Sequence, residues 1–276
     1  MILVTGASGN VGGALVEQLA AAKRPVRALV REPGGAAVPP GVQIVEGDLN
    51  RPDSLSDAFT GVTGLFLLGG FADMPAVLAR ARAAGVEHVV LLSSRSVVGG
   101  RPDNAVVGMH LTGETAVRES GIDWTFLRPS GFMSNTFEWT QQLREGDVVR
   151  APFAEVPIAA IDPRDIAAVA ATVLIAAEHY GHSYALSGPT ALLPEDRLAI
   201  LAETLGRPLR FEAQPDDEAR AEMSRTTPAR YVDAFFRFFV DGEFDDSAVL
   251  PAVRDLTGRR PHTFEEWALH HASAFR

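Results

Sequence analysis

Short apolar runs recur along the chain, each bounded by Gly, Pro or Asp: Ile2-Val4, Val26-Val30, Val42-Val45, Leu65-Leu68, His88-Leu92 and Trp124-Leu127. They are continuous rather than alternating, a pattern that predicts strands covered on both faces, as in a parallel sheet. After the first run, Val11, Leu15, Gln18, Leu19 and Ala22 fall at i, i+4, i+7, i+8 and i+11, one face of an amphipathic helix. Helical stretches follow at about 52–59, 75–84 and 105–119, each ahead of another apolar run. Strands and helices alternating in units of this size predict a doubly wound α/β fold with a parallel sheet.

The alternation breaks after Arg128-Pro129. From there to Pro157 the chain is aromatic and irregular, with Phe132, Met133, Phe137, Trp139 and Phe153. Asp162-Pro163-Arg164-Asp165 then opens an Ala-rich helix to about Ala177, with Asp162 suited to the cap and Pro163 to the first turn. A strand at 183–186 precedes Gly188-Pro189, a domain boundary, and the remainder reads as mostly helical: 195–205, one helix from 216 through 240, and a last piece near 264–272.

Composition narrows the chemistry. The chain has 276 residues, 46% of them hydrophobic, enough for a sizeable core, and a formal charge of -10. That acidity, with no basic run longer than two residues, argues against nucleic acid, whose affinity comes mainly from clustered cations. There is no cysteine, which removes disulfides, thiolate metal sites and a cysteine nucleophile. His179/His182 and His270/His271 lack acidic partners at metal spacing, so no metal is expected. The only lysine is Lys23, beside Arg24 at a helix end, so lysine-dependent chemistry is struck out, including Schiff bases and the phosphate-loop lysine. The longest apolar run, Ile166 to Ala177, falls short of the ~20 residues a membrane helix needs. With no positively charged leader at the N-terminus, a cytoplasmic protein is expected.

One motif carries a mechanism. Directly after the first strand, Thr5-Gly6-Ala7-Ser8-Gly9-Asn10-Val11-Gly12 opens the first helix. In this spacing Gly6 serves a tight turn, Gly9 lets the backbone approach a pyrophosphate, and Gly12 allows close packing of helix on sheet. The free N–H groups and positive dipole end of the helix face the phosphates. Ser8, Asn10 and Val11 belong to the same cradle. At the end of the second strand, where an acidic residue would hold the ribose of NAD, the chain has Arg31, about 25 residues after Gly6, with Arg27 and Arg24 nearby. Arg31 favours the 2'-phosphate of NADP(H) over NAD(H); in the opposite reading Glu32 takes the ribose.

Together with Gly47-Asp48-Leu49, Leu92-Ser93-Ser94, the Ser120–Pro129 run ending Trp124-Thr125-Phe126-Leu127-Arg128-Pro129, and Phe132-Met133-Ser134-Asn135, this opening resembles the NmrA-like branch of atypical short-chain dehydrogenases/reductases, which includes quinone-reductase-like NAD(P)H-binding proteins. The resemblance covers roughly residues 1–190 well and the rest loosely. It implies a Rossmann sheet with a small, mostly helical C-terminal domain: an NAD(P)-binding domain over 1–188, with 129–157 contributing to the substrate side, and a smaller substrate domain over 189–276. By the same resemblance Asp48 and Leu49 lie by the adenine, Leu68, Gly69 and Gly70 along the ribose and pyrophosphate, and Pro129 to Phe132 near the nicotinamide. Each follows a strand's carboxyl end, where ligands bind in open α/β sheets.

Enzymes of the wider superfamily use Tyr-x-x-x-Lys on the helix before the sixth strand, with a Ser or Thr at the end of the fifth. The lysine count removes that dyad, and the tyrosines, Tyr180, Tyr184 and Tyr231, all come later. Aligned on Glu114, the lysine position holds His110 and the tyrosine position Val106. His110 is therefore a candidate for a ribose contact or, protonated, a proton relay, against a partly buried packing role. Ser94 matches the superfamily serine and Ser93 adjoins it; either hydroxyl would orient a carbonyl or carboxamide, or cap backbone groups at the strand end.

Hydride transfer itself needs no protein acid, and quinones and other readily reduced acceptors take protons from water. The expectation is an NADPH-dependent oxidoreductase for a small quinone-like or conjugated carbonyl acceptor, with Phe132, Met133 and Phe153 on the substrate side; the alternative is a non-catalytic NADP(H)-binding redox sensor of the NmrA type. Phe137 and Trp139 read more readily as core. Phe235-Phe236 and Phe238-Phe239 form a stripe that is either buried or a homodimer contact. Asp241, Glu243, Asp245 and Asp246 read as a solvated turn rather than a calcium loop, because the loop lacks its terminal Glu.

Overall fold

The computed structural model describes residues 1–32 and 38–276. Seven strands form one wholly parallel sheet: β1 (Ile2–Val4), β2 (Val26–Val30), β3 (Gln43–Glu46), β4 (Gly64–Leu68), β5 (His88–Leu92), β6 (Asp123–Pro129) and β8 (His182–Leu186). Their spatial order is β3-β2-β1-β4-β5-β6-β8. The chain winds outward from β1 through β2 to β3 and then returns to the other side of β1, so the order reverses between β1 and β4. That switch point opens a crevice beyond the strands' carboxyl ends.

The expected strands are present, and helices cover both faces. On one side α1 (Asn10–Ala21) and α6 (Pro163–Val173) bury Leu15, Leu19, Ile166 and Val169 against Val4, Phe66, Val90 and Leu127. On the other, α2 (Ser56–Phe59), α3 (Met74–Ala83) and α4 (Ala105–Glu119) pack around Leu3, Leu65, Leu91 and Phe126. Each such large side chain taken out of water stabilises by about 1.5–3 kcal/mol. Side chains set the helix starts: Asp73 accepts from Ala76 N–H at 3.0 Å, Asn104 from Val106 N–H at 3.0 Å, and Asp162 from Arg164 N–H at 2.8 Å.

A second core unites residues 133–160 with the C-terminal part. Met133, Trp139 and Val149 pack with Leu198 and Leu201 of α7 (Pro194–Leu205) and with Phe264 and Trp267 of α11 (Phe264–His271). Phe137 stacks on Phe275, centroids 5.6 Å apart, so Phe137 and Trp139 are core residues. Three elements here escape the hydrophobic pattern: α5 (Thr140–Glu145) and the parallel pair of β7 (Val148–Ala151) with β9 (Arg210–Ala213).

The single helix expected over 216–240 is two, α8 (Asp216–Met223) and α9 (Ala229–Phe239). Pro228 lacks the N–H that would continue the ladder and disfavours the helical region for Thr227, so the chain breaks there. A further short helix, α10 (Ala252–Thr257), returns to the main core through Val253. Among the described residues no helix is long and apolar enough to cross a membrane.

Candidate active site

The loop from β1 to α1 lies at the switch point. Gly6 has φ +62°, and a Cβ there would stand 2.5 Å from Leu68 Cδ1, so the turn is pressed against the end of β4. Thr5 Oγ1, fully buried, accepts from Leu68 N–H at 3.1 Å and ties the two strand ends together. A Cβ on Gly12 would lie 2.2 Å from the Gly6 carbonyl oxygen, so only glycine lets α1 approach this closely. Gly9 caps α1 without a side chain, and the first helical turn holds no acidic residue. The first bond of the helix is Gly13 N–H to Gly9 O at 2.8 Å, which leaves the N–H groups of Asn10, Val11 and Gly12 outside the helical ladder. A glycine-walled turn with free N–H groups and a positive helix end fits a dinucleotide pyrophosphate.

Of the three arginines noted near the second strand, only Arg31 is at its carboxyl end. It is exposed and forms no ion pair with any described residue. Arg24 precedes β2, at the opposite edge. Arg27 is committed to structure: Nη1 donates to the carbonyl oxygens of Ala58 and Thr60, both at 2.8 Å, and Nη2 to Gln43 Oε1 at 2.9 Å. Asp48, partly exposed after β3, accepts from Asn50 N–H at 2.9 Å, while Leu49 is turned into the core. Gly70, exposed with φ +88°, borders a cavity of about 200 Å³ lined by Met74, Met109 and Gly113 between α3 and α4.

At the ends of β5 and β6 a buried charge cluster organises the crevice wall. Glu114 on α4 has no exposure. Its carboxylate accepts from Arg128 Nε and Nη2 at 2.8 and 2.7 Å, from Ser93 Oγ at 2.8 Å and from Arg118 Nη2 at 3.0 Å. Burial alone would raise its pKa, but the bonds from Arg128 and Ser93 and the charges of Arg128 and Arg118 hold it below the ordinary glutamate value. Ser93 is buried and its hydroxyl proton is engaged in locking β5 to α4, which differs from its expected role beside the cofactor. Ser94 caps the turn that follows, accepting from Ser96 N–H at 3.1 Å and sharing a hydrogen bond with Ser96 Oγ at 3.0 Å.

His110 lies one helical turn before Glu114 and makes no hydrogen bond to any described residue. Burial lowers its pKa to about 4, against the weaker opposing pull of Glu114. The imidazole is neutral near pH 7, so the relay by an imidazolium loses its basis, while a neutral ring still offers an N–H or a lone pair to a ribose hydroxyl. His88, buried beneath the opposite edge of the sheet, is likewise lowered to about 4 by desolvation. Both folded values lie below the ordinary 6.5, so the unfolded chain binds the extra protons and stability is lost as pH falls from about 6.5 toward 4, by roughly 2 kcal/mol per histidine at pH 5. Thermal melts of the cofactor-free protein at pH 7 and pH 5 should show this loss, and His88→Gln should shrink it.

Beyond β6, Phe132 bridges to Ile161 and packs at the edge of the main core. Met133 departs from its expected place on the substrate wall: it is 2% exposed in the second core and borders a cavity of about 30 Å³. Phe153 adopts φ +58° and meets Phe236 and Phe239 of α9, with centroids 5.2 and 5.0 Å away. The phenylalanine stripe divides accordingly, Phe236 and Phe238 buried, Phe235 and Phe239 partly exposed. Helix α9 lies on α4, with Asn104 Nδ2 donating to Ala234 O at 3.1 Å.

The acidic stretch 241–246 is a solvated turn only in part: Asp241 and Asp245 are exposed, Glu243 and Asp246 are not. Glu243 pairs with Arg237 at 2.6 Å, and Asp246 is 6% exposed. Its Oδ1 meets Arg95 Nη1 at 2.6 Å, and its Oδ2 accepts from Gly131 N–H at 2.8 Å. Nothing local in the sequence distinguishes Asp246 from its neighbours, because both partners come from strand ends more than a hundred residues earlier.

A family model described as the NmrA-like family matches residues 1–268. The chain is a member of the NmrA-like family. This NmrA-like chain is 41% identical over 280 residues to the (4-alkanoyl-5-oxo-2,5-dihydrofuran-3-yl)methyl phosphate reductase of Streptomyces griseus, covering 100% of this chain and 99% of that protein. It is 36% identical to an NAD(P)H azoreductase of Xenophilus azovorans, over 100% and 99% of the two chains. Among solved structures, the NADPH-dependent quinone oxidoreductase of Escherichia coli in complex with NADPH matches with a TM-score of 0.80 at 26% identity, over 98% of this chain and 99% of that one.

Proposed function

We propose that this NmrA-like chain is an NADPH-dependent reductase that delivers hydride to a small, flat, conjugated acceptor, an unsaturated lactone or a quinone. What supports the reading is the glycine cradle at the switch point, taken together with Val106 and a neutral His110 at the positions that the resemblance gives to the tyrosine and lysine. The acceptors for which its relatives are named support it, since a 5-oxo-2,5-dihydrofuran, an azo compound and a quinone all carry a conjugated, electron-poor double bond.

Bound in the cradle, NADPH supplies a hydride from C4 to the electron-poor end of the conjugated system. The protein's part is to hold and orient. Gly6, Gly9 and Gly12 with Ser8, Asn10 and Val11 seat the pyrophosphate, Arg31 the 2'-phosphate, Asp48 the adenosine side, and Leu68, Gly69 and Gly70 the inner ribose. His110 hydrogen-bonds the nicotinamide ribose as a neutral ring, Ser94 orients the acceptor carbonyl, and Pro129 to Phe132 with Phe153 shape the acceptor side. Residues 1–188 act as the nucleotide domain, with 129–157 lending the substrate side, and 189–276 as the smaller substrate domain. Protonation of the enolate or quinol oxygen falls to water, which suits conjugated acceptors and disfavours aliphatic ketones.

Acceptor-dependent NADPH oxidation tests this. An unsaturated γ-lactone and a benzoquinone should be turned over and cyclohexanone should not; turnover of cyclohexanone alone would overturn the reading. Arg31→Ala is expected to weaken NADPH about tenfold and leave NADH within about twofold in fluorescence titrations. Equal affinities for both cofactors, unchanged by the substitution, would remove the preference for NADP(H).

A further inference from the structure

The segment after α9 crosses three strand ends in succession. The Arg95 guanidinium, following β5, lies over the Phe244 ring at 5.4 Å and binds Asp246 at 2.6 Å. Gly131, following β6, donates its N–H to Asp246 Oδ2 at 2.8 Å. Asp246 O accepts from Ala159 N–H at 2.9 Å, and Ser187 Oγ, following β8, accepts from Leu250 N–H at 2.8 Å. A Cβ on Gly131 would stand 3.1 Å from Ile158 Cγ2 and 3.6 Å from Asp246 Oδ2, so the absence of a side chain there keeps the strap close. A carboxylate this buried is costly unless fully bonded, and here one oxygen is given to a guanidinium and the other to a backbone N–H.

Resting on the reductase reading, we propose that Asp246 is a positioning residue: it fixes the Gly131–Phe132 backbone and the Arg95 loop, the two walls between which the nicotinamide and acceptor meet. It touches neither reactant. Its contribution is the near-attack geometry, where an ångström of displacement is worth about 100-fold in rate.

The test uses Asp246→Ala, Asp246→Asn and the apolar pair Arg95→Met/Asp246→Leu, each measured for NADPH affinity, emission of bound NADPH, and kcat with a γ-lactone acceptor. The apolar pair avoids the uncompensated buried charge that an Asp246→Ala protein carries and so keeps the test open if that variant fails to fold. Expected are an NADPH Kd within about threefold of wild type, a kcat lower by about tenfold or more in Asp246→Ala and in the apolar pair, and bound-NADPH emission shifted toward that of the free cofactor. Asp246→Asn should fall between, because its amide oxygen still accepts from Gly131. Wild-type kcat and emission in the apolar pair would overturn the proposal, leaving Asp246 a structural ion-pair member only. If the wild type binds NADPH without turnover, the reductase reading falls, and the emission comparison still decides the role of Asp246.

Discussion

Gly12→Ala is expected to raise the Kd for NADPH about 100-fold or more, close to 3 kcal/mol. The new Cβ would meet Gly6 O at 2.2 Å, Gly6 C at 2.6 Å and Thr5 O at 2.9 Å. All three are backbone atoms of the turn itself, so no side chain can swing aside; α1 must move off the sheet and carry its free N–H groups away from the pyrophosphate. The packing of Val11, Leu15 and Leu19 against the sheet loosens with it. Isothermal titration with NADPH measures the loss, and Gly146→Ala, whose Cβ would meet nothing within 4 Å at an extended φ of 178°, is the matched control. Affinity unchanged in Gly12→Ala would mean that the cofactor does not use this turn.

Glu114→Ala is expected to lower stability by about 3 kcal/mol, the low end for breaking a buried ion pair because Arg118 is already partly in water. At this chain length that is a fall in Tm of roughly 6–12 °C. The substitution leaves Arg128, 19% exposed, without its carboxylate, and frees Ser93 at the end of β5. Since the folded pKa of Glu114 lies below the ordinary 4.5, its contribution is complete above that pH and is lost as pH falls below it. The gap between wild type and variant should therefore be full at pH 7 and narrow below pH 4.5, measured by thermal melts across that range. His110 sits one turn away, so NADPH affinity should weaken as well. A variant as stable as wild type at pH 7 would show that the cluster is solvated rather than structural.

The sheet is legible in the chain because five of its strands, β1, β2, β4, β5 and β6, are largely buried and so show as mostly apolar runs. The two edge strands are the exceptions that fit the same cause: β8 exposes His182 and Ser183, and β3 is the more open of the two. At the open edge, with Gln43, Ile44 and Glu46 exposed, it has no such run, and its extent shifts by one residue from the expected Val42-Val45. The split between α8 and α9 is written in Thr227-Pro228, but the apolar spacing that continues through Val232 and Phe236 masks it. The β7–β9 pair is not written locally at all, since four-residue strands about sixty residues apart carry no periodic signal.

The same division runs through the candidate site. The glycines of the cradle act on their own neighbours, so their spacing alone reveals them. Glu114 with Arg128, and Asp246 with Arg95, have meaning only as pairs that the fold brings together. Met133 and Ser93 show the complementary case: both flank strand ends, yet one side chain turns into the second core and the other toward Glu114, which local sequence does not signal.

The proposed hydride transfer from NADPH to a conjugated acceptor in this crevice is open to a direct test. The deciding measurement incubates the protein with stereospecifically 4-deuterated NADPH and an unsaturated γ-lactone and locates the label in the product by NMR. The account predicts deuterium from one face of the nicotinamide on the β-carbon of a saturated lactone, with a solvent proton on the α-carbon. Tight NADPH binding with no label on this lactone and no oxidation of NADPH by a quinone would contradict it and leave a protein that binds the cofactor without using it.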